Sequence, residues 1–293
     1  MKAIECKQVF KAFGENKVLR DVTFSIESGK IYALLGRNGA GKTTLMNCLC
    51  TLFIQDSGEI RLLEEVNYEN EKVLSEICFM SDFIAEFEIK KVKQILKYAS
   101  CFYERWDTAL MEKLLNFFEI DRKQLYSALS KGKKTLVSII IGLCSGCKIV
   151  LFDEIYSGLD AVARQQFYKI LLEEQEKNPR TFIVSTHLIE EMTEVFDGVV
   201  IMDEGRILLN EEMEEIYEKS IKCVGRTEKV ECFKGKNLLY QKNMGTISEF
   251  DFYDTFTEAE QRELTEEGFS FQSLSLQELF IACTAKEEKE WRN

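Results

Sequence analysis

The residues best suited to chemistry lie at positions 36–43 and again at 153 and 154. Gly36-Arg37-Asn38-Gly39-Ala40-Gly41-Lys42-Thr43 fits the spacing G-x-x-x-x-G-K-[ST], in which glycines let backbone N–H groups wrap the β- and γ-phosphates of a nucleotide. Lys42 is expected to meet those phosphates as a point charge, and the Thr43 hydroxyl to ligate Mg2+. Asp153-Glu154 follows the apolar run Ile149-Val150-Leu151-Phe152. Asp153 is expected to hold Mg2+ directly or through water. Glu154 is expected to orient and deprotonate an attacking water, a role worth about 10²–10⁴ in rate. Each feature has a plainer reading, a glycine-rich turn and a solvated strand end. Together they read as one nucleotide site.

Such a site needs a strand ahead of the loop and a helix behind it. Residues 31–35 (IYALL) form a continuous apolar run between Gly29-Lys30 and Gly36, the pattern of a strand buried on both faces. Residues 42–52 follow as a helix. Short strands are expected at 3–10 and 21–27, and buried strands at 149–152, 182–185 and 198–202. The helical pattern over 164–177 ends at Asn178-Pro179, where a helix should stop. Strands alternating with helices predict an α/β fold with a mainly parallel sheet. Residues 87–143 differ. Ile89, Val92, Ile95, Leu96, Ala99, Phe102 and Tyr103 keep helical spacing, with Lys90, Lys91, Lys93 and Lys97 on the other side. A second helix runs through Leu110, Met111, Leu114, Leu115 and Phe118, which makes this stretch an all-helical insertion. Residues 216–293 carry short alternating runs (VECF, EFDFYD) and acidic helical stretches. They are expected to form a small α/β appendage to a domain spanning 1–215.

In their order along the chain, these motifs resemble the ATP-binding subunit of an ABC transporter. Leu129-Ser130-Lys131-Gly132-Lys133, between the two nucleotide motifs, resembles the family's signature sequence, and Ser157-Gly158-Leu159-Asp160 resembles its D-loop. His187, the single histidine, ends the stretch FIVST where the family has its switch histidine. Phe13, just before Gly14, resembles the aromatic that stacks on adenine. The resemblance covers residues 1–210 and implies a P-loop NTPase with a RecA-like core and a helical ABC subdomain at about 87–143. It implies ATP contacts for Phe13, Gly36, Asn38, Gly39, Ala40, Gly41, Lys42, Thr43, Thr44, Ser130, Gly132 and Asp160. Lys42, Glu154 and His187 would be catalytic, with Thr43, Asp82 and Asp153 at Mg2+. A helix N-terminus at Ser130 carries free N–H groups suited to phosphate, and in the family this end closes over ATP held by a second cassette. Four positions depart from the family pattern. Asp82 stands where glutamine is usual, Lys131 replaces the first signature glycine, and Ile155-Tyr156 replaces Pro-Thr. The LSKG form, Asp82 and the length of the tail are most similar to bacterial single-cassette subunits of drug-export or antibiotic-response type. Lys131, Lys133 and Lys134 either draw nucleotide in or form an ordinary solvated face.

The 293 residues are 45% apolar and 30% charged, a globular composition. With 38 basic and 50 acidic residues the net charge is −12, which works against bulk nucleic-acid binding. The opening segment MKAIECKQVFKAF lacks the apolar run of a secretory signal. Ten cysteines at irregular spacings inside apolar runs read as reduced, buried thiols of a cytosolic protein. Residues 135–152 are nearly apolar enough to span a bilayer, but Lys148 and Ser145-Gly146 divide them into a buried helix end and a buried strand. The expectation is a cytoplasmic chain on the inner face of the cell membrane. It would dock a multi-span permease subunit at the helical insertion and the Asp82 loop, beside a second cassette that is either a copy or a different subunit. Two other classes remain open. A non-transport ABC ATPase acting on ribosomes or DNA is disfavoured by a single cassette and the acidic charge. A protein that holds ATP but barely hydrolyses it is disfavoured by Glu154 and His187.

Overall fold

The first 27 residues form a hairpin whose second arm alternates the buried Val22, Phe24 and Ile26 with more exposed residues. β1 (Lys2–Phe13) and β2 (Asn16–Glu27) pair antiparallel, with Phe13 opposite Asn16. Gly14 opens the turn at φ +62°, a left-handed conformation that costs glycine little. The chain then leaves for a second sheet through β3 (Ile31–Gly36), continues into α1 (Lys42–Leu49), and returns as β4 (Ser57–Leu62) and β5 (Glu65–Val66). The first sheet has the order β2-β1-β4-β5 and is antiparallel throughout. Sequence patterning placed strands at 3–10 and 21–27. Each is 12 residues long, and they belong to a sheet of their own, separate from the parallel one.

The computed structural model describes residues 1–81, 87–156 and 158–285. After α2 (Glu71–Leu74) come the strands β6 (Ile77–Ser81), β7 (Ile149–Asp153), β8 (Thr181–Thr186), β9 (Gly198–Asp203) and β10 (Arg206–Glu212). They form a sheet of order β10-β9-β3-β8-β7-β6, parallel from β9 through to β6. Every residue of β3, β7 and β8 is buried, which is why the middle of each reads as an apolar run, IYALL, IVLF and FIV. One apolar core fills the space between the sheets. It joins Ile4, Leu19, Phe24 and Ile60 of the first sheet to Leu45 and Met46 of α1 and to Leu34, Leu151, Ile183 and Val200 of the second.

Between β6 and β7 lies the expected helical insertion, built from α3 (Val92–Phe102), α4 (Thr108–Phe117) and α5 (Lys131–Cys144). α5 stops at Cys144 and β7 starts at Ile149, so the apolar run over 135–152 is a helix end and a strand. Among the described residues no helix is long and apolar enough to cross a membrane. A Cβ on Gly142 would lie 2.4 Å from the Phe152 ring, so glycine there lets α5 lie close on β7. α6 (Ala161–Lys177) places Phe167 edge-on to Phe152, 5.9 Å between centroids.

The chain divides into two units: Met1–His187 with Glu194–Asn210, and Leu188–Thr193 with Glu211–Asn293. Sequence patterning placed the division at 215/216 and did not foresee that the segment after His187, which includes α7 (Ile189–Met192), groups with the second unit. In that unit α8 (Met213–Lys219) leads into β11 (Ser220–Arg226), β12 (Leu238–Met244), β13 (Ile247–Tyr253), α9 (Glu258–Glu266), β14 (Ser270–Ser273) and α10 (Leu276–Thr284). The sheet order is β12-β13-β11-β14. Phe233, Phe250, Phe252, Phe256 and Phe269 form its aromatic core with Cys223 and Leu264. α10 packs against α7.

One buried charge in this unit makes its stability depend on pH. Asp251 is 8% exposed, and its Oδ1 has no hydrogen-bond partner among the described residues. Burial pushes the carboxyl up to about 6; Lys222 opposes the shift, and Glu278 and Glu249 add to it. Lys222 is itself paired with Glu278 at 2.6 Å. The folded carboxyl keeps its proton to a higher pH than the unfolded one does. The stability it contributes is therefore fully present below about pH 4 and is lost as pH rises to about 6. Asp251→Asn should stabilise the unit by about 2 kcal/mol at pH 7.5 and by almost nothing at pH 4, read from denaturant unfolding at the two pH values. Equal effects at both would contradict this account.

Candidate active site

The loop after β3 folds back on its own lysine. Lys42 Nζ donates to the Gly36 carbonyl at 2.7 Å and to the Arg37 carbonyl at 3.4 Å, and the side chain is only 5% exposed. Glycine is required where the backbone turns: φ is +83° at Gly39 and +107° at Gly41, and a Cβ on Gly36 would lie 2.5 Å from the Met202 carbonyl oxygen. Two hydrogen bonds fix the buried Ala40. Its N–H donates to the Arg37 carbonyl, and its carbonyl accepts from the Gly205 N–H, both at 3.0 Å. Leu45 N–H closes the first turn of α1 on the Gly41 carbonyl at 2.8 Å. The amides of Lys42, Thr43 and Thr44 lie ahead of that turn, where a helix has no partner of its own to offer. With Asn38 and Gly39 exposed beside them, they form the rim of an anion cradle.

The carboxylates arrive at the same edge. Asp153 is paired with Ser185 across β7 and β8, and Leu35 with Thr186 across β3 and β8. Gly36, Glu154 and His187 therefore leave neighbouring parallel strands at nearly one level, the place where such sheets bind ligands. Thr43 Oγ1 donates to Asp153 Oδ2 at 2.7 Å. The other oxygen, Oδ1, is buried and makes no hydrogen bond of normal length among the described residues. Burial pushes the Asp153 carboxyl above the usual aspartate range, against the pull of the Thr43 and Ser185 hydroxyls. Ser185 is the residue that motif reasoning missed, and a serine inside a fully buried strand was the signal. Glu154 has φ +49°, which is rare for a residue with a side chain. Its N–H donates to the Ser185 carbonyl at 3.2 Å, and its Oε1 lies 3.4 Å from Lys42 Nζ. The structure thus brings together Gly36, Gly41, Lys42, Thr43, Asp153 and Glu154.

The other expected residues are placed more loosely. His187 is exposed just past the end of β8. Phe13 is half exposed at the end of β1, edge-on to Phe53 at 5.2 Å. Ser130 caps α5, its side chain accepting from the Lys133 N–H at 3.3 Å. Asp160 caps α6, accepting from the Ala163 N–H at 2.8 Å, so in the isolated chain it serves its own helix. A Cβ on Gly132 would lie 2.8 Å from the Gly158 carbonyl oxygen, and one on Gly158 would lie 2.6 Å from Thr135 Oγ1. The start of α5 and the loop ahead of α6 thus lie backbone to backbone. Lys133 Nζ donates to the Glu119 carbonyl at 2.9 Å and Lys134 pairs with Glu88 at 2.6 Å, so both are engaged within the insertion. The expectations for Asp82, and for Ser157 in the D-loop, lie outside the described residues.

Comparison with known proteins shows what this arrangement belongs to. The sequence pattern of the ABC transporter family matches residues 19–157. The ABC transporter ATP-binding protein YtrB of Bacillus subtilis is 29% identical over 75% of this chain and 75% of its own length. An ABC transporter ATP-binding protein of Methanocaldococcus jannaschii is 31% identical over 74% of this chain and 80% of its own. The chain belongs to the ABC transporter ATP-binding family. A solved ATP-binding subunit of an ABC transporter shares the fold, with a TM-score of 0.65 at 24% identity over 73% of this chain and 91% of that one. Cassettes of this family hydrolyse ATP, and this chain is an ATPase of that class. In this ABC cassette the Ile155-Tyr156 departure has a structural role. Both residues are buried, and Tyr156 packs 5.4 Å from Phe167 and 5.8 Å from Tyr168, so α6 supplies an aromatic seat for the segment behind Glu154. The close approach at Gly158 can be tested directly. Gly158→Ala should destabilise the chain by about 1–3 kcal/mol through overpacking, measured by denaturant unfolding, and an unchanged midpoint would contradict the close approach.

Proposed function

We propose that the chain is the ATP-hydrolysing subunit of a transporter whose membrane-spanning permease is a separate polypeptide. The observation that carries this reading is the meeting of the Lys42 loop, the Thr43–Asp153 hydrogen bond and Glu154 at one sheet edge. The residues also fit Mg2+. A hydroxyl and a carboxylate lie together, and the buried Asp153 Oδ1 is left over for a ligand. Thr43 and Asp153 would hold the ion, which when bound neutralises phosphate charge; Asp82 is the further candidate. Lys42 and the first-turn amides of α1 would grip the β- and γ-phosphates of ATP, with Phe13 against the base. Glu154 would orient the attacking water and take its proton, and His187 would contact the γ-phosphate. Ser130 and Gly132 would close over ATP bound to a second cassette, a copy or a different subunit, and Asp160 would join that interface. ATP would thus clamp the pair shut, and hydrolysis would reopen it. The helical insertion would pass this movement to the permease from the cytoplasmic face of the membrane. Export is the direction we favour, on the resemblance of the LSKG motif, the Asp82 position and the tail. A net charge of −12 goes against a nucleic-acid partner.

Glu154→Gln should keep ATP binding and trap a nucleotide-bound dimer, seen as a shift in size-exclusion chromatography, while only monomer with ATP would speak against paired cassettes. Lys42→Ala should abolish ATPase activity, and unchanged steady-state turnover would sink the phosphate-loop assignment. The tagged chain should bring a multi-span membrane protein through detergent purification; ribosomal or DNA-repair proteins in its place would remove the transport role.

A further inference from the structure

We propose that Lys42 serves two anions in turn: without nucleotide it holds the Glu154 carboxylate, and an entering phosphate takes Lys42 over and releases Glu154 to water. This exchange rests on the nucleotide reading above and adds an order of events to it. Lys42 is 5% exposed and Glu154 36% exposed, with 3.4 Å between Nζ and Oε1. The other contacts of the ammonium are the neutral carbonyls of Gly36 and Arg37, at 2.7 and 3.4 Å. Glu154 is therefore its one ion-pair partner among the described residues. A buried ammonium needs such a charge, because leaving it unpaired is costly. The carboxylate is held toward it by the backbone. Glu154 keeps φ +49° against a steric cost, anchored before its side chain by the N–H bond to Ser185 and behind by the buried Ile155 and Tyr156.

A phosphate seated in the cradle needs the same ammonium. Two anions crowded at one cation disfavour each other, so phosphate and carboxylate compete for Lys42. Glu154 becomes available to water only once a phosphate has taken over Lys42. Lys42 is thus a positioning residue for Glu154 in addition to its contact with phosphate.

The test is a double-mutant cycle read by calorimetric titration of the full chain with ADP, which binds without turnover. Glu154→Gln should tighten ADP binding by about 3- to 10-fold when Lys42 is present, and by less than about 2-fold in the Lys42→Ala background. Equal tightening in both backgrounds would mean simple repulsion between carboxylate and phosphate and would overturn the exchange. No tightening in either would overturn it as well. If Lys42→Ala binds ADP too weakly to titrate, the same cycle is read from the ADP-induced rise in melting temperature, where the Glu154→Gln gain should again require Lys42. Failure of the unaltered chain to bind ADP would instead overturn the nucleotide site itself, which separates that outcome from loss of the exchange alone.

Discussion

An ammonium group almost out of reach of water is the constraint around which this cassette is arranged. Lys42 has 5% of its side chain exposed, and a charge so placed has to find compensating dipoles and an anion close by. The loop supplies the dipoles by folding back until two of its own carbonyls face Nζ. That path requires left-handed backbone at Gly39 and Gly41 and bare backbone at Gly36 against Met202. The anion comes from a different strand, so β7 must end level with β3. The parallel register through β8 sets that level. Burial of three adjacent strands on both faces is thus not only a source of stability. It also aligns the one strand end that carries the lysine loop with the one that carries the carboxylates.

The same economy of backbone appears at the start of α5. Gly132 and Gly158 each sit where a Cβ would strike the other segment, so neither glycine position leaves room for a side chain between the helix that begins at the signature sequence and the loop downstream of Glu154. The Thr135 hydroxyl, which donates to the Lys131 carbonyl at 3.1 Å, lines the same joint. Packing this close leaves little slack, and displacement of one segment has to be met by the other.

Much of this was legible in the sequence. The glycine spacing, the apolar run ahead of Asp153 and the break at Ser145-Gly146 each carry a local physical signal, and each falls where the structure puts it. Other features had no such signal. β1 and β2 run past their apolar cores because register shifts interrupt their alternation, which hides both their length and their separate sheet. The left-handed Glu154 has no glycine to announce it. Asp160 shows how one residue type supports two assignments: an aspartate ahead of a helix is a helix cap by local rules, and in the isolated chain the cap is what is seen. The contact of Gly132 with Gly158 joins distant positions and follows no period, so only the fold reveals it.

The packing of α10 on α7 ties the far end of the chain to a short helix much earlier in the sequence. α7 begins two residues after His187, and its Ile189 and Met192 are buried within the same unit as the final helix. Trimming the protein after β10 would therefore do more than remove an appendage. It would strip the wall from a small apolar socket and leave α7 without the final helix that packs against it.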